Sequence, residues 1–215
     1  MTHHVSVRAR FERFPATLKG AFIIRGEDRD PHQVVLLEGR AVSVDGRAVR
    51  RIPMQSTTLD IVPKQDVFVP FELSVSDLEP GWYDLVCDLQ VDGIFASQAG
   101  GRRFTVAWPR ASVRRGQVKV GKELRLGDVR VRVEQVDCGA DSIRLQLSIE
   151  PPEELTVRLS ADGDPLDVLE TDLDLASGRA RVVAYPVLKV HRTLRVEVRG
   201  RGRDAHGTVD VPFPV

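Results

Sequence analysis

Leu78-Glu79-Pro80-Gly81-Trp82-Tyr83 runs directly into Leu85, Cys87, Leu89 and Val91, which alternate with Asp84, Val86, Asp88 and Gln90 and stop at Asp92-Gly93. A proline and a glycine side by side mark a change of chain direction. The period of two after them marks a strand with one packed face. Asp-Gly then suits a tight hairpin turn, because glycine accepts a positive φ at no steric cost. The same alternation recurs outward in both directions, in Val5, Val7, Ala9 and Phe11, in Val129, Val131 and Val133, in Ile143 to Ile149, in Leu155 to Leu159 and in Leu194 to Val198. Asp45-Gly46 and Asp162-Gly163 supply further hairpin signals. No stretch carries a sustained helical period, so the chain reads as all-β, built of antiparallel sheets with one wet face each.

The step Leu78-x-Pro80-Gly81-x-Tyr83 into a strand resembles the tyrosine corner of immunoglobulin-like and fibronectin type III-like β-sandwiches. In that family the Tyr hydroxyl ties the crossing between strands to nearby backbone. The resemblance implies an architecture and no particular activity, because sandwiches of this kind host many unrelated functions. A closed β-barrel is the rival architecture that the same alternation permits.

At 215 residues the chain is long enough for two such sandwiches of about 100 residues each. The expected boundary is Ala107-Trp108-Pro109-Arg110, where an alternating strand meets a proline that cannot donate to a ladder. This gives tandem domains over 1–108 and 109–215. Trp108 is expected on the inward face of Phe104 and Val106, as a plug at the junction. An offset of 107 residues superposes Val198-Arg199-Gly200 on Val91-Asp92-Gly93 and the closing strands on each other, a weak repeat over the last quarter of each half that lacks the Tyr83 motif in its second copy.

Lys and Arg number 31, and Asp and Glu number 31, with 13 basic against 14 acidic before Pro109 and 18 against 17 from there on. Neutral halves offer no general field for nucleic acid or an anionic membrane, so neither is expected as a partner. The N-terminal residues run straight into strand pattern without the features of a signal peptide, and no apolar stretch approaches the roughly 18 to 20 residues that span a bilayer. Of the basic residues 26 are Arg, and Asn does not occur. GC-rich bacterial coding produces that bias, a heat-adapted source fits it in part, and N-linked glycosylation is excluded outright.

The two cysteines, Cys87 and Cys138, fall in different halves, which removes an intradomain disulfide and suits a reducing cytoplasm. Cys87 shares the face of Leu85 and Leu89 and is expected to behave as a small buried hydrophobe. Gly116 to Glu123 matches the first seven positions of the phosphate-binding loop, but Glu123 replaces the magnesium-binding hydroxyl and Val118 and Val120 alternate as a strand, so the match is fortuitous. The histidines at 3, 4, 32, 191 and 206 show no spacing for zinc, and no nucleophile elbow occurs. Asp162, Asp164 and Asp167 open an acidic stretch that continues through Glu170, Asp172 and Asp174. They are the candidate calcium ligands, although Leu166 breaks the EF-hand pattern and a solvated edge is the expected state. No cofactor is expected.

Two surfaces stand out as partner-facing. Trp82 alternates with Tyr83 and so points outward, where its amphipathic ring suits a binding anchor. Arg195, Arg199 and Arg201 lie in the densest basic segment, available to a partner or to the acidic stretch of a second copy in a homo-oligomer. The resulting expectation is a non-catalytic interaction or scaffold protein with an unknown protein partner. The alternative is a carbohydrate-binding module, for which the 2 Trp and 2 Tyr are a poor endowment, and the third reading is an enzyme without a recognisable motif.

Overall fold

The computed structural model describes residues 5–200 and 205–213. Its chain divides into two compact units, Met1–Val106 and Ala107–Val215. Among the described residues there is no helix.

The first unit contains β1 (Val5–Arg13), β2 (Thr17–Gly26), β3 (His32–Ser43), β4 (Val49–Ile52), β5 (Thr58–Ile61), β6 (Asp66–Ser74), β7 (Gly81–Val91) and β8 (Ile94–Val106). One sheet runs β1-β2-β6 and the other β4-β3-β7-β8, with β5 pairing β3 beside β4. Every pairing between these strands is antiparallel. The alternation read from the sequence explains the layering: Val5, Val7, Leu18, Phe22, Ile24 and Leu73 from the first sheet share one core with Val34, Leu36, Leu85, Cys87, Leu89 and Phe104 from the second. Two sheets facing one apolar layer make a sandwich.

The second unit contains β9 (Gly116–Leu126), β10 (Val129–Cys138), β11 (Ile143–Glu150), β12 (Leu155–Ala161), β13 (Asp164–Leu166), β14 (Val168–Asp174), β15 (Arg179–Ala184), β16 (Thr193–Gly200) and β17 (His206–Pro212). Its sheets run β9-β10-β11-β15-β14 and β13-β12-β16-β17 around a separate core that includes Val131, Val133, Leu145, Leu147, Val182, Leu194, Val196 and Val211. Connectivity repeats where sequence likeness fails. β10-β11-β15 corresponds to β1-β2-β6, and β13-β12-β16-β17 to β4-β3-β7-β8.

The corner read from Leu78 to Tyr83 is present in the first unit. Tyr83 is the third residue of β7 and is only 1% exposed. Its hydroxyl donates to the carbonyl oxygen of Glu79 at 3.0 Å, and its ring stacks on Phe104 with centroids 5.3 Å apart. The chain crosses here from β6 in one sheet to β7 in the other, so this bond ties the crossing to the strand that follows it. These all-β sheets and this corner fit an immunoglobulin-like arrangement.

Trp108 corrects an expectation. β8 ends at Val106, so the face shared by Phe104 and Val106 does not continue to Trp108. The indole belongs to the second unit and meets Tyr185 edge-on, with ring centroids 5.4 Å apart.

Replacing Tyr83 by Phe removes one hydrogen bond and keeps the ring, and is expected to cost about 1 kcal/mol. Replacing it by Ala also empties the corner, at about 4 kcal/mol. Urea unfolding monitored on the first unit tests both, and equal effects of the two substitutions would discard the role given to the corner.

Candidate functional site

The strand period turns Ser6, Arg8, Arg10 and Glu12 of β1 away from the core. Register then sets them in rows across the outer face: Arg8 beside Ile23 and then Phe68, and Arg10 beside Ala21 and then Pro70. The flanking rows are polar and internally paired, Arg25 to Asp66 at 3.7 Å and Lys19 to Glu72 at 3.2 Å. Between them lies an apolar strip in which Phe68 is 57% exposed.

A bulge in β8 completes this surface. Asp84 pairs with Arg103 and Val86 with Ala99, which leaves Gly100, Gly101 and Arg102 opposite Leu85 alone. Gly100 packs so closely on β1 that a Cβ there would lie 2.6 Å from the Cβ of Ala9, and Gly101 takes a φ of +69°. Both positions therefore require glycine. The bulge carries Arg102 over the ring of Phe11, its guanidinium carbon 4.5 Å from the centroid. Arg8, Arg10 and Arg102 thus converge on a cleft of about 440 Å³, floored by Ile23 and Phe68, that continues into a second of about 530 Å³ reaching Glu12 and Lys19. None of the three has an ion-pair partner among the described residues.

A different cluster occupies the end of the first unit where β3 begins and β7 turns into β8. His32 is 8% exposed and lies between two carboxylates, Nδ1 at 2.6 Å from Asp92 Oδ2 and Nε2 at 2.7 Å from Asp28 Oδ1. Only the doubly protonated ring donates from both nitrogens. Hydrogen bonds to Asp92 and then Asp28 accordingly hold the imidazole pKa above its ordinary value, against the opposing effect of burial. Asp92 also accepts from the amide of Gln33 at 2.9 Å. With φ of +50° at Asp92 and +83° at Gly93, the turn is the two-residue type that matches strand twist. His32 therefore fixes the β7–β8 turn to the β2–β3 connection. Beside it Ile94 is 74% exposed, Phe95 61% and Val62 50%.

The residues singled out from sequence fall elsewhere. Trp82 is half-buried on the face of β7 opposite Tyr83, and its carbonyl accepts from the amide of Val44 at 2.8 Å. Arg195 grips Asp210 with two nitrogens, at 2.8 and 3.1 Å, and Arg199 holds Glu197 at 2.7 Å. Arg201 lies outside the described residues. Arg181 reaches Glu170 at 3.5 Å and Asp172 at 3.8 Å across the β14–β15 pair, so the acidic stretch meets basic side chains of its own unit.

Asp162 accepts from the amides of Arg192 and Thr193, both at 2.8 Å, which hold its carboxyl below the usual carboxylate range. Both of its oxygens are thereby engaged in closing a turn. Asp164 lies 3.9 Å from His191, and no group of three or more metal-ligating side chains occurs among the described residues, Asp167 included. Gly116 to Glu123 forms part of β9. Cys87 and Cys138 are both buried, and burial pushes their thiols up to about 12 and about 11.

No protein-family model and no curated protein matches this chain. Among solved structures it is similar to the conserved domain protein from Bacillus anthracis, at 11% identity over 100% of this chain and 89% of that one, with a TM-score of 0.39. It is also similar to a marsupial T cell receptor, at 12% identity over 96% of this chain and 62% of the receptor chain, with a TM-score of 0.27.

A histidine whose pKa is raised by folding contributes stability that is complete below its unfolded value of 6.5 and lost as pH climbs through the folded value. Unfolding of the first unit is expected to show that decline, and His32→Gln is expected to abolish it and cost about 2 kcal/mol at pH 6. A variant with the same pH profile as the parent would refute the clamp. Neither thiol is expected to react with a disulfide reagent at pH 8 until the chain is denatured, when both become titratable.

Proposed function

We propose that the chain is a non-catalytic protein-binding module of two β-sandwich units that engages a partner through the β7–β8 end of the first. The observation carrying this reading is the placement of Ile94 and Phe95, two large apolar side chains mostly in solvent, on a hairpin whose turn is fixed by His32. Exposed apolar side chains are ordinary when scattered, but two in succession at the tip of a rigid hairpin, one towards each face, suit recognition by a partner that wraps the tip, because little ordering entropy is lost on binding. Val62, next to the Ile61 that pairs with His32, is also half exposed at this end of the unit. Loops on a firm sandwich are a common way to present such a surface.

The test is capture of partners from extract of the source organism with the parent chain and with an Ile94→Ser, Phe95→Ser double variant. A stoichiometric protein that the variant binds at least about tenfold more weakly is the expected result. Equal recovery with both chains would remove this end from the binding surface.

A further inference from the structure

We infer that the groove along β1 binds an extended acidic segment of a protein partner, its carboxylates held by Arg8, Arg10 and Arg102 and an apolar side chain seated on Ile23 and Phe68. This goes beyond the hairpin-end surface and shares no residue with it, so either can fail alone.

Charge is the first support. Several arginines elsewhere in the chain are met by carboxylates, as in Arg40 with Asp88, Arg51 with Glu38, Arg103 with Asp84 and Arg195 with Asp210. Arg8, Arg10 and Arg102 converge without one, and mutually repelling cations held together offer a ready site for anionic groups. The β8 bulge and the Phe11 ring set the direction of Arg102 before any ligand arrives.

Size and shape decide the kind of anion. Ser6 to Glu12 spans about 20 Å at roughly 3.3 Å per residue, the reach of six or so extended residues. The basic stretch is bounded by neutral ion pairs, Arg25 with Asp66 at one end and Lys19 with Glu72 at the other, with Glu12 beside the latter, so the attraction for a long polyanion ends there. The exposed ring of Phe68 answers an apolar side chain, which a nucleic-acid backbone does not supply. Addition of a strand to the β1 edge is excluded by β8, whose Gln98 donates to the Val5 carbonyl at 2.9 Å and whose Gly100 packs on Ala9. The ligand is therefore held by side chains on the face.

Display selection of random decapeptides on the intact chain, followed by anisotropy with a labelled selected peptide, tests this. The expected consensus carries at least two acidic residues around an aromatic or aliphatic one. Arg102→Glu and the Arg8→Glu, Arg10→Glu double variant should each weaken binding at least about tenfold, while Arg158→Glu in the second unit and the Ile94→Ser, Phe95→Ser variant leave it unchanged. Thermal melts verify folding. Independently of any variant of the chain, replacing the peptide's acidic residues by Lys should weaken binding to the parent chain by at least the same factor. A consensus without acidic residues, full affinity in the charge-reversed variants or for the Lys peptide, or tighter binding of a dodecathymidylate lost with those variants, would overturn the proposal.

Discussion

The hydroxyl of Tyr83 and the carbonyl of Glu79 meet where the chain leaves one sheet of the first unit and enters the other. A sandwich needs such a crossing, and a crossing is where backbone groups leave their ladders and side chains must compensate. Tyr83 does this with the tip of a ring whose body is buried against Phe104. The same side chain thus packs the core and fixes the start of β7, and the rest of β7 carries that position along to Asp92 at its far end. The arrangement around His32 inherits its geometry from a strand anchored some ten residues earlier.

Much of this was legible in the sequence because it depends on local pattern. The period of two in Val5 to Phe11 or Ile143 to Ile149 translates directly into faces, and Asp92-Gly93 and Asp162-Gly163 form the two-residue turns their chemistry requires. Cys87 lies among core residues as the phase of its neighbours demanded. What escaped was non-local. Trp108 keeps the phase of Phe104 and Val106 on paper, but the strand ends before reaching it.

The sites are harder still. Arg8 and Arg10 read as an ordinary wet face, and only register with β2 and the approach of β8 place them around a cleft with Arg102. Gly100-Gly101 is the one signal that the alternation of β8 breaks there. His32 and Asp28, four residues apart around the start of β3, meet Asp92 from the β7–β8 turn sixty residues on, and no spacing rule links the two segments. Conversely Arg195 and Arg199, conspicuous as a run, are matched by Asp210 and Glu197 on the same sheet. Net neutrality hides this contrast, because a balanced total says nothing about which cations are paired.

The pairing of β4 and β5 with successive halves of β3 has a further consequence. A sheet margin is a row of backbone donors and acceptors that can template the addition of another chain, and a long straight margin is the hazardous kind. Here that margin consists of two four-residue strands, interrupted between Ile52 and Thr58 by a segment containing Pro53. On the other sheet the margin is β6, which carries Pro70 and so lacks one amide hydrogen. At these two margins, away from the β8 strand that carries Ile94 and Phe95, an intruding β-chain finds little continuous backbone to grip.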